Sequence, residues 1–492
     1  MLTLIVLILG LGIAARVVRI DQPVRYDESY TYWNFAAQPL GEIVSDYHVP
    51  NNHIFHSLCV HFTTLVLGDS PLVIRLPACV AGVLLIPLTI LAGTLLYDRR
   101  VGLLAGALVA VCPLLVNYSV NARGYMLVTD FFIAGSIAAV LMLRSSNRWP
   151  WVVFVMLMAL GAWTMPTMLY GFVALVLWLV GSYCLGDVAE SAKRGFLVRV
   201  AIACAATGLI VVGLYLPVIL EHGIRAIAAN RWTKPISYSE FFVGLAPHFQ
   251  DTELFLHGGM PLLLRLILAI LLLATIIGSQ SYGRHKLFLL GPTLAACLGL
   301  MTLQSVLPFA RVWTFLAPLE LILVAAGIGI LTNQAKSVWG RSLPLAVVAL
   351  VFIALTIRSE GRDGERAAAR DAVAMAARLR DEVKPGDMIV TAWCFEMLLI
   401  ENFQRGGGPL QQLAIAAHHP LHPREVPGRV FVVVDHDSGH SIGDSFFLVF
   451  GDRDLMESLQ ESAQSKLLAR YETSSLWEIT LPKGEPTASP PS

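Results

Sequence analysis

Charge is scarce in this 492-residue chain: only 14% of its residues are Asp, Glu, Lys or Arg, and 35 basic residues balance 35 acidic ones to a net charge of zero. Such scarcity excludes an ordinary soluble protein, because 56% of the residues are hydrophobic and the mean hydropathy is +0.66. The balance of signs gives no basic surface for a nucleic-acid partner, so what matters is where the cations fall along the chain. Cysteine is also sparse. The seven residues are scattered singly, mostly inside apolar runs, and no CxxC pair occurs, which argues against a disulfide framework and against a zinc site. The apolar run over 2–18 has no basic residue before Arg16 and no clear small-residue cleavage site, so it reads as a first membrane span rather than a signal peptide. No internal repeat is evident among the apolar runs, which weakens an inverted-repeat transporter reading.

What the chain does have is apolar runs long enough to cross a hydrocarbon core, which takes roughly 20 helical residues each. They lie near 2–18, 71–96, 101–118, 124–143, 149–164, 166–184, 198–220, 260–279, 285–303, 308–331 and 341–357. The expectation is an α-helical polytopic membrane protein of about eleven spans. With the N-terminus inside, the short inner connections carry Arg99 and Arg100, then Arg144 and Arg148, then Lys193, Arg194 and Arg199, then Arg284 and Lys286, then Lys336 and Arg341. Every one of them is basic, as the positive-inside rule requires. A membrane domain over 1–358 follows, with outer loops at 19–70 and 221–259. The first loop contains 40–47, the Pro50-Asn51-Asn52-His53 turn and the apolar stretch 54–67, read as short helices lying along the interface and roofing a cavity. The second, with Arg225, Arg231, Trp232, Lys234 and Tyr238, has the length of a lid or binding loop.

From about Ser359 the composition turns charged and alanine-rich. A helix over 363–383, strands near 388–392, 430–434, 446–450 and 476–481, and helices near 394–404 and 452–464 predict a small soluble α/β domain over 359–482 on the outer side. The Pro- and Ser-rich tail, 483–492, reads as disordered.

Asp27 and Glu28 stand just past the first span, within Arg25-Tyr26-Asp27-Glu28-Ser29-Tyr30-Thr31-Tyr32. A carboxylate next to a bilayer is costly unless it faces water, a cavity or a partner, so an acid pair here marks a candidate site. The plainer reading is a polar loop in an aromatic belt. Arg123 lies at an outer span boundary, where its planar fork suits a phosphate, the alternative being a snorkelling interface anchor. Arg311, after the Leu307-Pro308 break, follows the same logic. Tyr118 and Tyr125 are placed to hydrogen-bond such a phosphate or to sit as belt residues. Asp435-His436-Asp437-Ser438-Gly439-His440 offers metal-type ligands, though a polar turn after a strand is the commoner use of such residues.

Together, Arg25-Tyr26-Asp27-Glu28, Asn52-His53, Arg75-Leu76-Pro77, the run from Asn117 through Arg123 to Tyr125, and Arg311-Val312-Trp313 resemble a bacterial GT-C glycosyltransferase of the protein O-mannosyltransferase and lipid A aminoarabinose transferase superfamily, over roughly residues 1–330. That resemblance implies a polyprenyl-phosphate sugar donor, an acceptor entering from outside, and an Asp of the first outer loop as base, here Asp27. Glu28 is the alternative base or a positioning group for it. Arg123, Arg311, Tyr118, Tyr125 and His53 are the implied donor-phosphate contacts, although Ile54 stands where the family usually has proline. Arg75 reads as a structural anchor. No cofactor is expected; the acid pair could hold a divalent metal, the alternative to the expectation that none is needed, since related enzymes of this kind generally act without one. The implied protein sits in the cytoplasmic membrane with its site and its C-terminal domain on the extracytoplasmic side. It transfers one sugar, with inversion, to a protein, glycolipid or polysaccharide acceptor among membrane lipids. The rival class is a transporter or flippase of lipid-linked sugars.

Overall fold

The computed structural model describes residues 2–228, 234–258, 260–332, 354, 364–391, 393–414, 429–436, 441–442 and 464–480. The chain divides into two compact units, one of residues 1–21 and 34–359 and the other of residues 22–33 and 360–492.

The first unit is entirely helical among the described residues. Its helices are α1 (Leu2–Ile20), α3 (Leu40–Ser45), α4 (Ile54–Leu67), α5 (Pro71–Leu96), α6 (Arg99–Val111), α7 (Pro113–Ser119), α8 (Tyr125–Arg144), α9 (Trp149–Thr164), α10 (Met168–Cys184), α11 (Glu190–Lys193), α12 (Phe196–His222), α13 (Arg225–Ala228), α14 (Tyr238–His257), α15 (Leu262–Tyr282), α16 (Leu290–Gln304) and α17 (Leu316–Thr332). Each expected span coincides with a helix or helix pair except 341–357, which lies outside the described residues. Five helices are long and apolar enough to cross a membrane, or seven if each of two bent pairs forms one span. The shorter apolar helices are α4, α9, α10 and α16. Apolar side chains stand exposed along the outside of the bundle, Leu209, Leu220, Leu263 and Ile277 among them, as expected where lipid is the solvent.

One of the bent pairs matters for the site. The expected span 101–118 breaks at Cys112-Pro113, and α6 and α7 meet at 61°. Proline has no N–H to continue the helix and is well placed at a first helical position. The expected lid at 221–259 is instead largely the helix α14, whose start is fixed by a capping box: Ser237 Oγ accepts from the Glu240 N–H and Glu240 accepts from the Ser237 N–H. Arg231 and Trp232 lie outside the described residues.

The second unit is a five-stranded mixed sheet in the order β2-β1-β3-β5-β4. Its strands are β1 (Met388–Thr391), β2 (Leu413–Ala414), β3 (Arg429–Asp435), β4 (Gln464–Arg470) and β5 (Ser474–Thr480), with helices α2 (Tyr26–Thr31), α18 (Gly364–Glu382) and α19 (Trp393–Gly406). β1 pairs in parallel with β2 and β3, and β5 pairs antiparallel with β3 and β4. Ile389, Phe431, Val433 and Leu476 pack with Ala372, Met375 and Leu379 of α18 and with Phe395, Leu399 and Phe403 of α19. The opposite face of the sheet buries Met388, Val390, Val430, Val432 and Ile479. The central strand β3 is therefore buried on both faces, which explains its unbroken Val-rich run. Asp371 pins α18 to the β4–β5 turn by accepting from the Thr473 N–H at 2.8 Å and from the Thr473 and Ser474 hydroxyls at 2.8 and 3.0 Å. β4 begins at Gln464, where a helix was expected to end. The expected strand 446–450, the rest of the 452–464 helix, residues 437–440 and the tail lie outside the described residues.

Candidate active site

In the membrane unit the candidate site is built on two turns. The first precedes α4. Asn52, fully buried, donates from Nδ2 to the carbonyls of Ile43 and Asp46 at 2.9 and 2.8 Å and accepts from Ser57 Oγ at 2.9 Å. An amide that uses both ends locks the turn, and His53 is the next residue, at the N-cap of α4. The second turn, 120–124, joins α7 to α8 and carries Arg123.

The two turns meet at the imidazole. His53 Nδ1 accepts the Gly124 N–H at 2.8 Å, and His53 Nε2 lies 3.2 Å from Arg123 Nη2. Burial, then the charge of Arg123, then His56 and Arg311, hold the His53 pKa well below the usual value, so the ring is neutral near pH 7. A neutral imidazole has one N–H. Because Nδ1 is the acceptor, Nε2 carries the proton, and two donors face each other across 3.2 Å. An anionic oxygen placed against both would accept from each. Arg123 also donates weakly to the Asn51 carbonyl at 3.4 Å, and its guanidinium lies 5.9 Å from the centre of the Tyr125 ring. Tyr125 packs edge-on against His53 and against Tyr118, with ring centres 5.3 and 5.1 Å apart. His53, Arg123, Tyr118 and Tyr125 thus form one cluster. Arg311, on the short 3-10 helix Ala310–Phe315, contributes its charge at His53 and lies 4.9 Å over the Phe309 ring.

Residues that sequence reasoning passed over hold α7 in place. Arg16, fully buried in α1, donates from Nε to Ser119 Oγ at 3.1 Å and from Nη1 to the Gly12 and Ala110 carbonyls at 2.8 and 3.1 Å. Arg19 donates to Asn117 Oδ1 at 2.9 Å. The approach leaves no room for a side chain at Gly82, where a Cβ would fall 1.9 Å from Ser119 Oγ. Two cations inside an apolar run were the signal available in the sequence. Arg75, also fully buried, donates to the Ile20 carbonyl at 2.7 Å and so satisfies an open carbonyl at the end of α1.

The acid pair lies in the second unit, in the first turn of α2. Glu28 is fully buried and accepts the Arg25 backbone N–H at 3.0 Å, a helix-start bond. Asp27 is partly exposed. The α2 segment is held by α19: the Tyr26 hydroxyl donates to Glu396 at 3.2 Å, Ser29 Oγ donates to the Met397 carbonyl at 2.7 Å, and the Trp33 indole donates to Glu401. Glu401 also pairs with Arg405, which lies 5.3 Å over Tyr32 and 5.7 Å over Trp33. Burial pushes the Glu396 pKa up to about 7 despite its bond from Tyr26. Neither Glu396 nor Glu401 could be singled out in the sequence, where both read as ordinary acids on an amphipathic helix.

Among the described residues no three His, Cys, Asp or Glu side chains are grouped to hold a metal ion. His436 Nε2 lies 2.9 Å from Ser475 Oγ, while 437–440 fall outside the described residues.

A family model of dolichyl-phosphate-mannose-protein mannosyltransferases matches residues 51–217, the stretch that holds both turns. No curated protein sequence matches the chain. Among solved structures, the fold is similar to that of ArnT from Cupriavidus metallidurans in the apo state, with a TM-score of 0.58 at 12% identity over 96% of this chain and 97% of that one. The same enzyme bound to undecaprenyl phosphate matches with a TM-score of 0.55 at 12% identity, over 97% of each chain. The oligosaccharyltransferase AglB from Archaeoglobus fulgidus, in complex with an inhibitory peptide and a dolichol-phosphate, matches with a TM-score of 0.52 at 12% identity, over 96% of this chain and 74% of that one. The family match lies over both turns of the candidate site, and the fold is one that the chain shares with ArnT and AglB. It is a multi-pass membrane protein with a small C-terminal sheet domain.

Proposed function

We propose that the protein transfers a single sugar from a polyprenyl-phosphate donor to an acceptor hydroxyl on the outer face of the cytoplasmic membrane. The observation that carries this reading is the pair of facing donors, Arg123 Nη2 and His53 Nε2, at 3.2 Å. A phosphate oxygen is chemically complementary to such a pair of donors, and in the comparison structures ArnT is bound to undecaprenyl phosphate and AglB to a dolichol-phosphate. In this proposal Arg123 and His53 hold the phosphate, Arg311 adds charge, and Tyr118 and Tyr125 line the site.

Asp27 is the general base. It removes the proton of the acceptor hydroxyl while the acceptor oxygen attacks the anomeric carbon; the bond from that carbon to the phosphate oxygen breaks, and the phosphate leaves with the electron pair. One displacement inverts the anomeric centre and forms no covalent enzyme intermediate. The bond that Glu28 makes to the Arg25 N–H supports giving the proton transfer to Asp27 and a structural role to Glu28.

The test is transfer by purified protein in lipid nanodiscs from synthetic polyprenyl-phosphate sugars to extracted envelope acceptors, with mass spectrometry of the product and its anomeric configuration read by NMR. Sugar crossing the bilayer on its carrier without any transfer product would instead identify a flippase. Lipid-linked sugars and envelope glycans compared between wild-type and deletion strains name the sugar by what accumulates and the acceptor by what is lost.

A further inference from the structure

Between α9 and α12, away from the two turns, the membrane unit has an open groove of about 440 Å³. Its floor and walls are apolar, with Val152, Ile202 and Ile210 among the lining residues, while Arg148, Trp151 and Arg199 gather at one end. Arg148 stands exposed, and among the described residues no carboxylate pairs with it or with Arg199. Arg199 lies 5.5 Å over the Trp151 ring and donates to the Arg194 carbonyl at 2.8 Å, which holds its guanidinium at the groove. The Trp151 side chain is more than nine-tenths buried, yet its indole N–H has no hydrogen-bond partner. That nitrogen is shielded from the groove, so Trp151 contributes its ring as wall and as the surface on which Arg199 lies.

We propose that this groove is a binding site for an anionic glycerophospholipid, with its phosphate oxygens at Arg148 and Arg199 and one acyl chain lying along the apolar wall. The charge pattern argues for this occupant. Two cations without an acid recognise a phosphate and disfavour a headgroup that brings its own ammonium, and the apolar lining continues from that end as an acyl chain continues from its headgroup. The basic end belongs to the connections 144–148 and 193–199, which the positive-inside pattern assigns to the inner leaflet. The site owes nothing to the sugar-transfer reading.

Full-length protein is purified in detergent, delipidated and titrated with phosphatidylglycerol, phosphatidylcholine or undecaprenyl phosphate, with bound lipid counted by native mass spectrometry. The expected result is one tightly retained phosphatidylglycerol, at least about tenfold preferred over phosphatidylcholine. Arg148→Ala should weaken it roughly five- to tenfold. Thermal melts of each variant separate lost binding from lost fold, and Arg199→Gln serves as a second charge deletion. Equal retention of the two phospholipids, phosphatidylglycerol binding unchanged in Arg148→Ala and Arg199→Gln, or preferential occupancy of this groove by undecaprenyl phosphate would each overturn the proposal.

Discussion

The phosphate clamp makes the sharpest prediction, because donor binding can be measured without any turnover. Arg123→Ala removes one of the two donors that face each other at 3.2 Å. A charge-assisted bond of this kind contributes on the order of 1.5–3 kcal/mol, so affinity should fall about ten- to a hundredfold. The loss should be the same for the sugar-loaded donor and for free polyprenyl phosphate, since the contact is to phosphate. Arg123→Lys keeps a charge but cannot present a planar fork and should remain clearly impaired. His53→Ala should cost a similar amount and also leave the Gly124 N–H, now bonded at 2.8 Å, without its acceptor. The pH dependence follows from the same geometry. In the free protein burial and the neighbouring cations hold the His53 pKa well below its usual value. A bound phosphate reverses the sign of the nearest charge and raises that pKa, so binding strengthens as pH falls from the bound-state pKa toward the lower free-state pKa, a window narrowed because the added proton must go on Nδ1 and displace the Gly124 N–H. The sugar-loaded donor is a phosphodiester with no second ionisation, which leaves His53 as the group that titrates. Calorimetry in nanodiscs at several pH values reads both effects. Unchanged polyprenyl-phosphate affinity in Arg123→Ala would refute the clamp and return Arg123 to the role of an interface anchor.

Asp27→Asn should lower turnover by roughly 10²–10⁴-fold with donor affinity kept, as read by single-turnover transfer beside calorimetry, and near-normal turnover would remove Asp27 from the role of base. Glu28→Gln should chiefly lower thermal stability, by about 0.3–1 kcal/mol, because it keeps the acceptor for the Arg25 N–H and loses only charge at the helix start. Glu396 is raised by burial to about 7, so the folded protein holds a proton there that the unfolded chain releases from about pH 4.5 upward. Stability from this group is therefore full at low pH and declines as pH rises from the ordinary Glu range to about 7, by up to about 3 kcal/mol for a shift of this size. Glu396→Gln should flatten that slope in melts taken between pH 5 and 8; an unaltered slope would mean that Glu396 does not carry it. A topology reporter fused after Ile357 should read as extracytoplasmic, and cytoplasmic signal there would show that the spans have been miscounted.

The apolar helices were legible because a bilayer imposes an apolar composition that few other structures need, although only five to seven of them have the length of a span, and the short helices α3 and α4 were legible from the turn that separates them. The phosphate cluster was legible as residue types but not as geometry. That His53 accepts from Gly124, and so must present its proton to Arg123, depends on two turns 70 residues apart in sequence meeting at one ring. The grouping of residues 22–33 with the C-terminal unit was not legible at all. It rests on contacts such as Tyr26 to Glu396 and Trp33 to Glu401, each spanning nearly 370 residues, and no local pattern in either stretch announces a partner. The same holds for α14, whose capping box at Ser237 and Glu240 was present in the sequence but was outweighed by the polar character of the segment.

The division of labour between Asp27 and Glu28 follows from a helix that the sequence reading took for a loop. In a loop, two adjacent acids are interchangeable and should titrate as a coupled pair. On a helix of 3.6 residues per turn, consecutive side chains point about 100° apart, so the two cannot share one environment. Glu28 is three residues beyond Arg25, the spacing at which a carboxylate reaches back to the free N–H of the helix start, and it is fully buried there. A carboxylate fully buried and held by that bond is poorly placed to reach an acceptor hydroxyl. Asp27, one step round the same turn, is partly exposed. α19 then holds this turn from both sides of Asp27, through Tyr26 and Ser29. If that grip sets the angle at which Asp27 is presented, Ser29→Ala should lower kcat while KM for the donor stays unchanged, because the donor-phosphate groups lie in the other unit. A change in donor KM with kcat intact would refute this role for α19 without touching the case for Asp27 as the base.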